Sequence, residues 1–191
     1  LSNKAKEGSE LPFDYIKDLS QHDDAGTVLN DLMQAYGKAV WSYAFVLTQR
    51  KEVADDLMQD VFLSAFQHMH TFRGESTVRT WLLGITRNKS LNYLKSAFFR
   101  KVTLVDKVFP KEALRSAEQE MMDQLATSEI WNIVLKLPVK YREVILLEAH
   151  YAYTEQEIAD LLGVPKGTVK SRLHRARAKV EKAIKEADRN E

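Results

Sequence analysis

The side chains best placed to do chemistry in this chain are charged ones gathered on a single segment. From Lys166 to Lys185 there are eight bases (Lys166, Lys170, Arg172, Arg175, Arg177, Lys179, Lys182, Lys185) against the single acid Glu181, a local charge of +8 − 1 = +7. The whole chain of 191 residues carries only +1, and the stretch from Glu143 to Asp160 holds five acids with no Lys or Arg. At 100° per residue, Val169, Leu173, Ala176 and Val180 fall within roughly 60° of one another and must face a core. The opposite side then presents Ser171, His174, Arg175 and Ala178, flanked by Lys170 and Arg172. Hydrogen-bond donors, positive charge and a small residue on one face suit a helix lying in the major groove of DNA. Arg175 is the candidate for a bidentate guanine contact, while Lys166 and Thr168 at the helix start are placed to hold phosphate.

A basic helix surface can also be merely solvated, so the residues before it matter. Thr154-Glu155-Gln156-Glu157 has the form of a capping box, in which the Thr hydroxyl accepts from the amide of residue 157 and the Glu carboxylate reaches back. Ile158, Ala159, Leu161 and Leu162 give the helix that starts there an apolar face. Gly163 supplies a left-handed residue to end it, and Pro165 stands where a new helix starts. Cap, turn glycine, periodicity and charge segregation together predict a helix-turn-helix from Thr154 to about Lys179. Catalysis finds no support. There is no Gly-rich phosphate loop, His68 and His70 sit at i, i+2 rather than the i, i+4 of a helical metal pair, and His22, His150 and His174 are scattered, so neither catalytic residues nor a cofactor or metal is expected.

Positioning these side chains falls to helices. With seven Gly and four Pro, and with apolar residues spaced by three and four, the sequence predicts an almost entirely helical chain. A first long helix is expected from about Thr27 to Gln49, a second from about Val53 to His70, and a third from about Thr77 to Phe99. The second turns Ala54, Leu57, Met58, Val61, Phe62 and Ala65 inward, leaving Asp56, Gln59, Asp60 and Leu63 outside. Acids on a solvated face are ordinary, but an outward leucine among them suggests a docking surface. On the third, Trp81, Ile85, Asn88 and Asn92 form a stripe that passes from apolar to amide, which suits either base contact or a buried helix with two satisfied amides. Periodicity lapses from Arg100 to about Arg115, with a break at Pro110, and resumes to Leu137. The expected division is a helical domain at 11–99, a linker at 100–115 apolar enough to lie in a groove, and a second helical domain at 116–187.

Composition, 45% hydrophobic and 29% charged, places the chain in the globular class. The absence of cysteine rules out disulfides and thiolate metal sites and fits a reducing compartment. No apolar run approaches the roughly 20 residues that span a bilayer, so no membrane insertion is expected and the cytoplasm is the expected location. The chain opens on Leu1 rather than Met, which suggests that the natural chain starts earlier, and Leu1 to Glu10 are given no weight.

Several motifs follow one another along the chain: Ala54-Asp55-Asp56-Leu57-Met58-Gln59-Asp60-Val61-Phe62, then Phe72-Arg73-Gly74 with Thr80-Trp81-Leu82, and Ile85-Thr86-Arg87-Asn88. Further on come Leu137-Pro138 with Tyr141-Arg142, and Gly167-Thr168-Val169-Lys170-Ser171-Arg172-Leu173 with Arg175-Ala176-Arg177. In this set and order the chain resembles the extracytoplasmic-function (ECF, group 4) sigma factors of bacterial RNA polymerase, members of the sigma-70 family. The resemblance implies an all-α fold of two small domains, a region 2-like bundle and a region 4-like helix-turn-helix domain. It further implies docking on the clamp helices and flap region of core polymerase, the clamp through Asp56, Gln59, Asp60 and Leu63. Minus-10 promoter DNA would be melted and read by Phe72, Arg73, Arg79, Trp81, Arg87, Asn88 and Asn92, and minus-35 DNA by Lys166, Thr168, Lys170, Ser171, Arg172, His174 and Arg175. An anti-sigma factor is implied as a regulatory partner, with no small-molecule substrate. Three features depart from the pattern: Glu148 where many members carry a base, Lys95 where Arg is common, and the segment Phe13 to Asp24 in place of the usual first helix.

Two other classes bear comparison. A stand-alone regulator would use the same helix-turn-helix as a dimer on an operator and would bind tightly without polymerase, whereas an enzyme would need a catalytic constellation that the sequence lacks.

Overall fold

In a computed structural model of the chain, the described residues are 25–100, 129–187 and 189. They form two helical bodies. The first holds α1 (Ala25–Thr48), α2 (Lys51–His68), a single 3₁₀ turn (Met69–Thr71) and α3 (Val78–Arg100). The second holds α4 (Glu129–Leu135), α5 (Val139–Ile145), a π-helical turn (Leu146–His150), α6 (Glu155–Leu162) and α7 (Lys166–Ala187). The expected linker lies outside the described residues except for Arg100, and so do the segment Phe13 to Asp24 and residues 116–128.

The first body follows from three amphipathic stripes. Val28, Leu32, Tyr36, Val40 and Trp41 from α1 meet Val53, Ala54, Leu57, Met58, Val61, Phe62 and Ala65 from α2, with Val78 and Leu82 from α3 closing the core. Each buried side chain of this size contributes about 1.5–3 kcal/mol relative to exposure, which is what holds three helices together. The α1–α2 corner is tight. Gln49 takes a positive φ of 56° and Arg50 returns to an extended conformation before α2 begins. The second helix ends two residues earlier than its periodicity predicts, because Met69 to Thr71 tighten into a 3₁₀ turn whose Met69 carbonyl accepts from the Phe72 amide.

In the second body the predicted helix-turn-helix is present in detail. Glu157 N–H donates to Thr154 Oγ1 at 3.3 Å and the Glu157 carboxylate accepts from Thr154 N–H at 2.7 Å, a complete capping box. Gly163 is left-handed at φ 64°, and its amide closes α6 onto Ala159 and Asp160. Val169, Leu173 and Ala176 of α7 are buried against Ile158, Ala159 and Leu162 of α6, and Val180 is partly buried. A π-helical turn, absent from the sequence reading, links α5 to α6 and places Tyr151 and Tyr153 inward.

The two bodies meet along a seam. Ala39, Tyr43, Val46 and Leu47 of α1 and Leu83 of α3 pack in one apolar cluster with Leu146, Leu147, Tyr151, Tyr153 and Ile158. Arg142 of α5 is buried and donates to the terminal carbonyls of α1, Val46 O at 2.5 Å and Leu47 O at 2.7 Å, and to Leu137 O at 3.0 Å. It thereby satisfies carbonyls that the end of α1 leaves without helical partners.

Two measurements check the local chemistry of the helix-turn-helix. A Cβ at residue 163 meets no atom within 4 Å, so Gly163→Ala tests backbone strain alone and is expected to cost about 1 kcal/mol in denaturant unfolding. The hydrogen bonds from Thr154 hold the Glu157 carboxyl below its ordinary range. A depressed folded pKa makes the unfolded chain bind more protons, so this stabilisation is complete above the unfolded value of about 4.3 and is lost as pH falls below it. The stability difference between the wild type and Glu157→Gln is therefore expected at pH 7 and should narrow as pH falls below about 4.3.

Candidate nucleic-acid and polymerase interface

The face of α7 opposite its core stripe is open to solvent. Lys170, Ser171, His174 and Arg175 are exposed, Arg172 is half-buried, and Lys166 and Thr168 occupy the first turn of the helix, the end where orphan amides and the helix dipole favour phosphate. Ser171 Oγ donates back to Thr168 O at 2.9 Å, so its hydroxyl keeps a lone pair free for an incoming donor. Farther along, Arg177 is held by Glu148 at 2.6 Å, which joins the π-helical turn to α7. That exposed pair adds little stability, but it takes up the one acid that departs from the pattern seen in the sequence.

On α2, Asp56, Gln59, Asp60 and Leu63 are all exposed and follow one another at i, i+3, i+4 and i+7, so they share one face. Leu63 is 52% exposed, an unusual setting for a leucine beside carboxylates. Its neighbour Asp55 points elsewhere, accepting from Trp41 Nε1–H at 2.7 Å. The Asp56 carboxyl is pushed up, first by partial loss of solvent and then by the charges of Asp55, Asp60 and Glu52 around it. This is a surface whose own repulsion a cationic partner would relieve.

The third group gathers at the start of α3. Phe72 stacks on Trp81 with ring centroids 4.9 Å apart and planes 28° from parallel. The two rings line a cleft with Thr71, Arg73, Glu75 and Ser76. Gly74, between Arg73 and Glu75, is left-handed at φ 72°. An aromatic pair beside an exposed Arg73 is a platform on which an unpaired base can stack. Asn88 and Asn92 are exposed, so of the two sequence readings of this stripe the buried, satisfied amides are set aside; Trp81 and Ile85 are half-buried.

Two of the predicted residues face the second body instead of open solvent. Arg79 lies over the ring of Tyr153 with its guanidinium carbon 5.6 Å from the centroid. Arg87 Nε donates to Glu143 Oε1 at 2.8 Å. Glu143 is 2% exposed and also accepts from Tyr43 Oη at 2.9 Å, and burial followed by the carboxylate pushes the Tyr43 phenol well above its ordinary range. Nearby, Tyr151 Oη donates to Ala39 O at 2.7 Å, and Thr80 Oγ1 lies 2.9 Å from Tyr153 Oη. The sequence placed Tyr43 only within the first long helix and Glu143 only among several acids; neither carried a local sign of its partner about a hundred residues away. Among the described residues no His, Cys, Asp and Glu cluster could hold a metal ion, and no helix is long and apolar enough to cross a membrane.

Comparison with known proteins follows the same division. A model of sigma-70 region 2 matches residues 32–98 and a model of sigma-70 region 4 matches residues 127–180. The RNA polymerase sigma factor YlaC of Bacillus subtilis is 29% identical over 156 residues, covering 81% of this chain and 90% of that one. The ECF RNA polymerase sigma factor SigM of Mycobacterium tuberculosis is 30% identical over 155 residues, covering 81% and 76%. The fold is that of the sigma factor RpoE of Bartonella quintana, solved with the anti-sigma factor NepR, at a TM-score of 0.63 and 22% identity over 82% of this chain and 95% of that one. It is likewise that of CnrH, solved with the cytosolic domain of CnrY, at 0.62 and 24% over 91% and 96%. With both regions matched in order and a relative 30% identical aligned over 81% of the chain, this protein belongs to the sigma-70 family as an ECF RNA polymerase sigma factor, a non-enzymatic transcription initiation factor.

Proposed function

We propose that this chain recruits core RNA polymerase through the α2 face and places it on promoters that it reads at two elements. The observation that carries this reading is the pairing of two opposed, exposed surfaces on one near-neutral chain, the acid-and-leucine face of α2 and the basic face of α7. Lys170, Ser171, Arg172, His174 and Arg175 read minus-35 base edges, with Lys166 and Thr168 on phosphate. Phe72, Arg73 and Trp81 take an unpaired minus-10 base, Asn88 and Asn92 contact another, and Arg79 and Arg87 supply charge to the strand. Strand opening draws on these contacts to the single strand, with no nucleotide hydrolysis by this chain. Asp56, Gln59, Asp60 and Leu63 engage the polymerase clamp, and the second body sits at the flap, so that the factor works in the bacterial cytoplasm.

An anti-sigma factor holds the free chain inactive on this reading. Support comes from the fold relative RpoE, which was solved bound to the anti-sigma factor NepR.

Run-off transcription with purified core enzyme tests the docking half. Reversing Asp56 and Asp60 to Lys is expected to cut transcripts roughly tenfold or more, the loss typical of turning an attractive charge pair repulsive. Unchanged initiation would remove the docking claim. Gel shifts without polymerase separate the stand-alone regulator, which alone predicts tight sequence-specific binding by the free chain. For the reading half, Arg175→Ala is expected to lose about 1–3 kcal/mol of discrimination at one base position. Lys166→Ala should instead weaken binding evenly across sequences and lower the salt slope by about 1.

A further inference from the structure

The basic face of α7 has two flanks, and a helix seated in a major groove has a phosphate strand along each. At 100° per residue, Lys166, Lys170 and Arg177 fall within roughly 40° of one another along one flank. Arg172 and Lys179 lie along the other. The flanks differ in what holds their bases. Lys179 Nζ sits 5.9 Å from the centroid of the Tyr141 ring, with Lys140 Nζ 5.2 Å from the same centroid, and an aromatic ring leaves an ammonium its full charge. Arg177 meets a carboxylate instead. Both oxygens of Glu148 accept from its Nη2 at 2.6 Å.

This pair differs from the others on the helix. Lys182 and Lys185 pair with Glu186 and Glu181 of α7 itself, near its end, whereas Glu148 comes from the π-helical turn. It does little to hold the fold, since the Arg177 side chain is 64% exposed and that of Glu148 30%. What it changes is charge. Two opposite charges in hydrogen-bond contact almost cancel when seen from a Debye length away, about 10 Å in 0.1 M salt. A carboxylate also offers a guanidinium the same kind of charged acceptor as a phosphate does. A phosphate that approaches Arg177 therefore meets an anion already in place, and one that the fold keeps there.

We propose that Glu148 is a built-in brake on sequence-independent DNA binding: it occupies Arg177 in place of a phosphate and so removes one contact from the flank of Lys166 and Lys170. The proposal rests on the reading of α7 as the helix that faces DNA. It gives that helix an uneven grip, weaker on the strand beside Arg177 than on the strand beside Lys179. The base-reading side chains Ser171, His174 and Arg175 are untouched by it. A free factor with one phosphate contact fewer leaves bulk DNA more readily, and tethering by polymerase makes up the affinity at a promoter.

The test is the affinity of the free full-length chain for a random-sequence DNA duplex, read by fluorescence anisotropy from about 50 to about 200 mM salt. Glu148→Gln is expected to bind more tightly and to steepen the fall of log affinity with log salt by about 0.9, the increment of one phosphate contact. Its advantage should therefore shrink roughly three- to fourfold across that range. Arg177→Gln alone should leave the wild-type slope as it is, and added to Glu148→Gln it should cancel the gain. Thermal unfolding checks that each variant folds as the wild type does. A pair that merely staples the π-helical turn to α7 predicts that Glu148→Gln and Arg177→Gln weaken binding alike, and that result would overturn the brake. So would an unchanged slope in Glu148→Gln while Lys166→Ala still lowers it by about 1. A slope that neither Glu148→Gln nor Lys166→Ala alters would take α7 off the DNA and the brake with it.

Discussion

A carboxylate almost out of reach of water is tolerated only while charged or hydroxyl donors surround it, and Glu143 takes both of its donors, Tyr43 and Arg87, from the other half of the chain. Much of the arrangement depends on that constraint. The middle of α5 is fixed against α1 and α3 by Glu143 and by Arg142 on the carbonyls of Val46 and Leu47. Helices α6 and α7 are built on α5 and the π-helical turn, so the direction in which the basic face of α7 points follows from where that helix is fastened. The seam is polar at its centre and apolar around it, with Leu83 and Leu147 among the surrounding side chains.

Charge is distributed with the same economy. A chain of net charge +1 that concentrates +7 between Lys166 and Lys185 leaves the rest of its sequence net acidic. Uniform basicity would favour non-specific binding at every phosphate, with affinity falling steeply as salt rises. A factor brought to DNA by a polymerase needs only modest affinity of its own, because tethering supplies the rest. The raised Asp56 carboxyl fits the other end of that logic: the α2 face carries repulsion that a cationic partner removes.

The parts of the fold that were legible in the sequence are those with a local signature. Thr154 and Glu157 are three residues apart and Gly163 stands at the helix end, so cap and turn could be written down and appear with the expected bonds and a φ of 64°. The exposed run Asp56, Gln59, Asp60 and Leu63 followed from helical spacing alone. What was illegible is the pairing of residues far apart in sequence. Tyr43 and Glu143 are separated by 100 positions, and Arg142 reaches Val46 across 96. Periodicity says that such residues face inward, and it is silent on which inward face meets which. For the same reason the sequence offers Arg87 and Arg79 only as the minus-10 contacts that the resemblance implies, although in the folded chain one is held by Glu143 and the other lies on Tyr153. The π-helical turn was also missed, since a single extra residue in a helix leaves the apolar spacing almost unchanged.

The central claim is that one chain supplies both the polymerase contact and the choice of promoter. Its most direct test is to map transcript start sites produced from a genomic template by purified core enzyme with and without this protein. The account predicts new starts only when both are present, each preceded by two shared sequence blocks separated by about one and a half duplex turns. The absence of new starts, or new starts that share a single block, would contradict it.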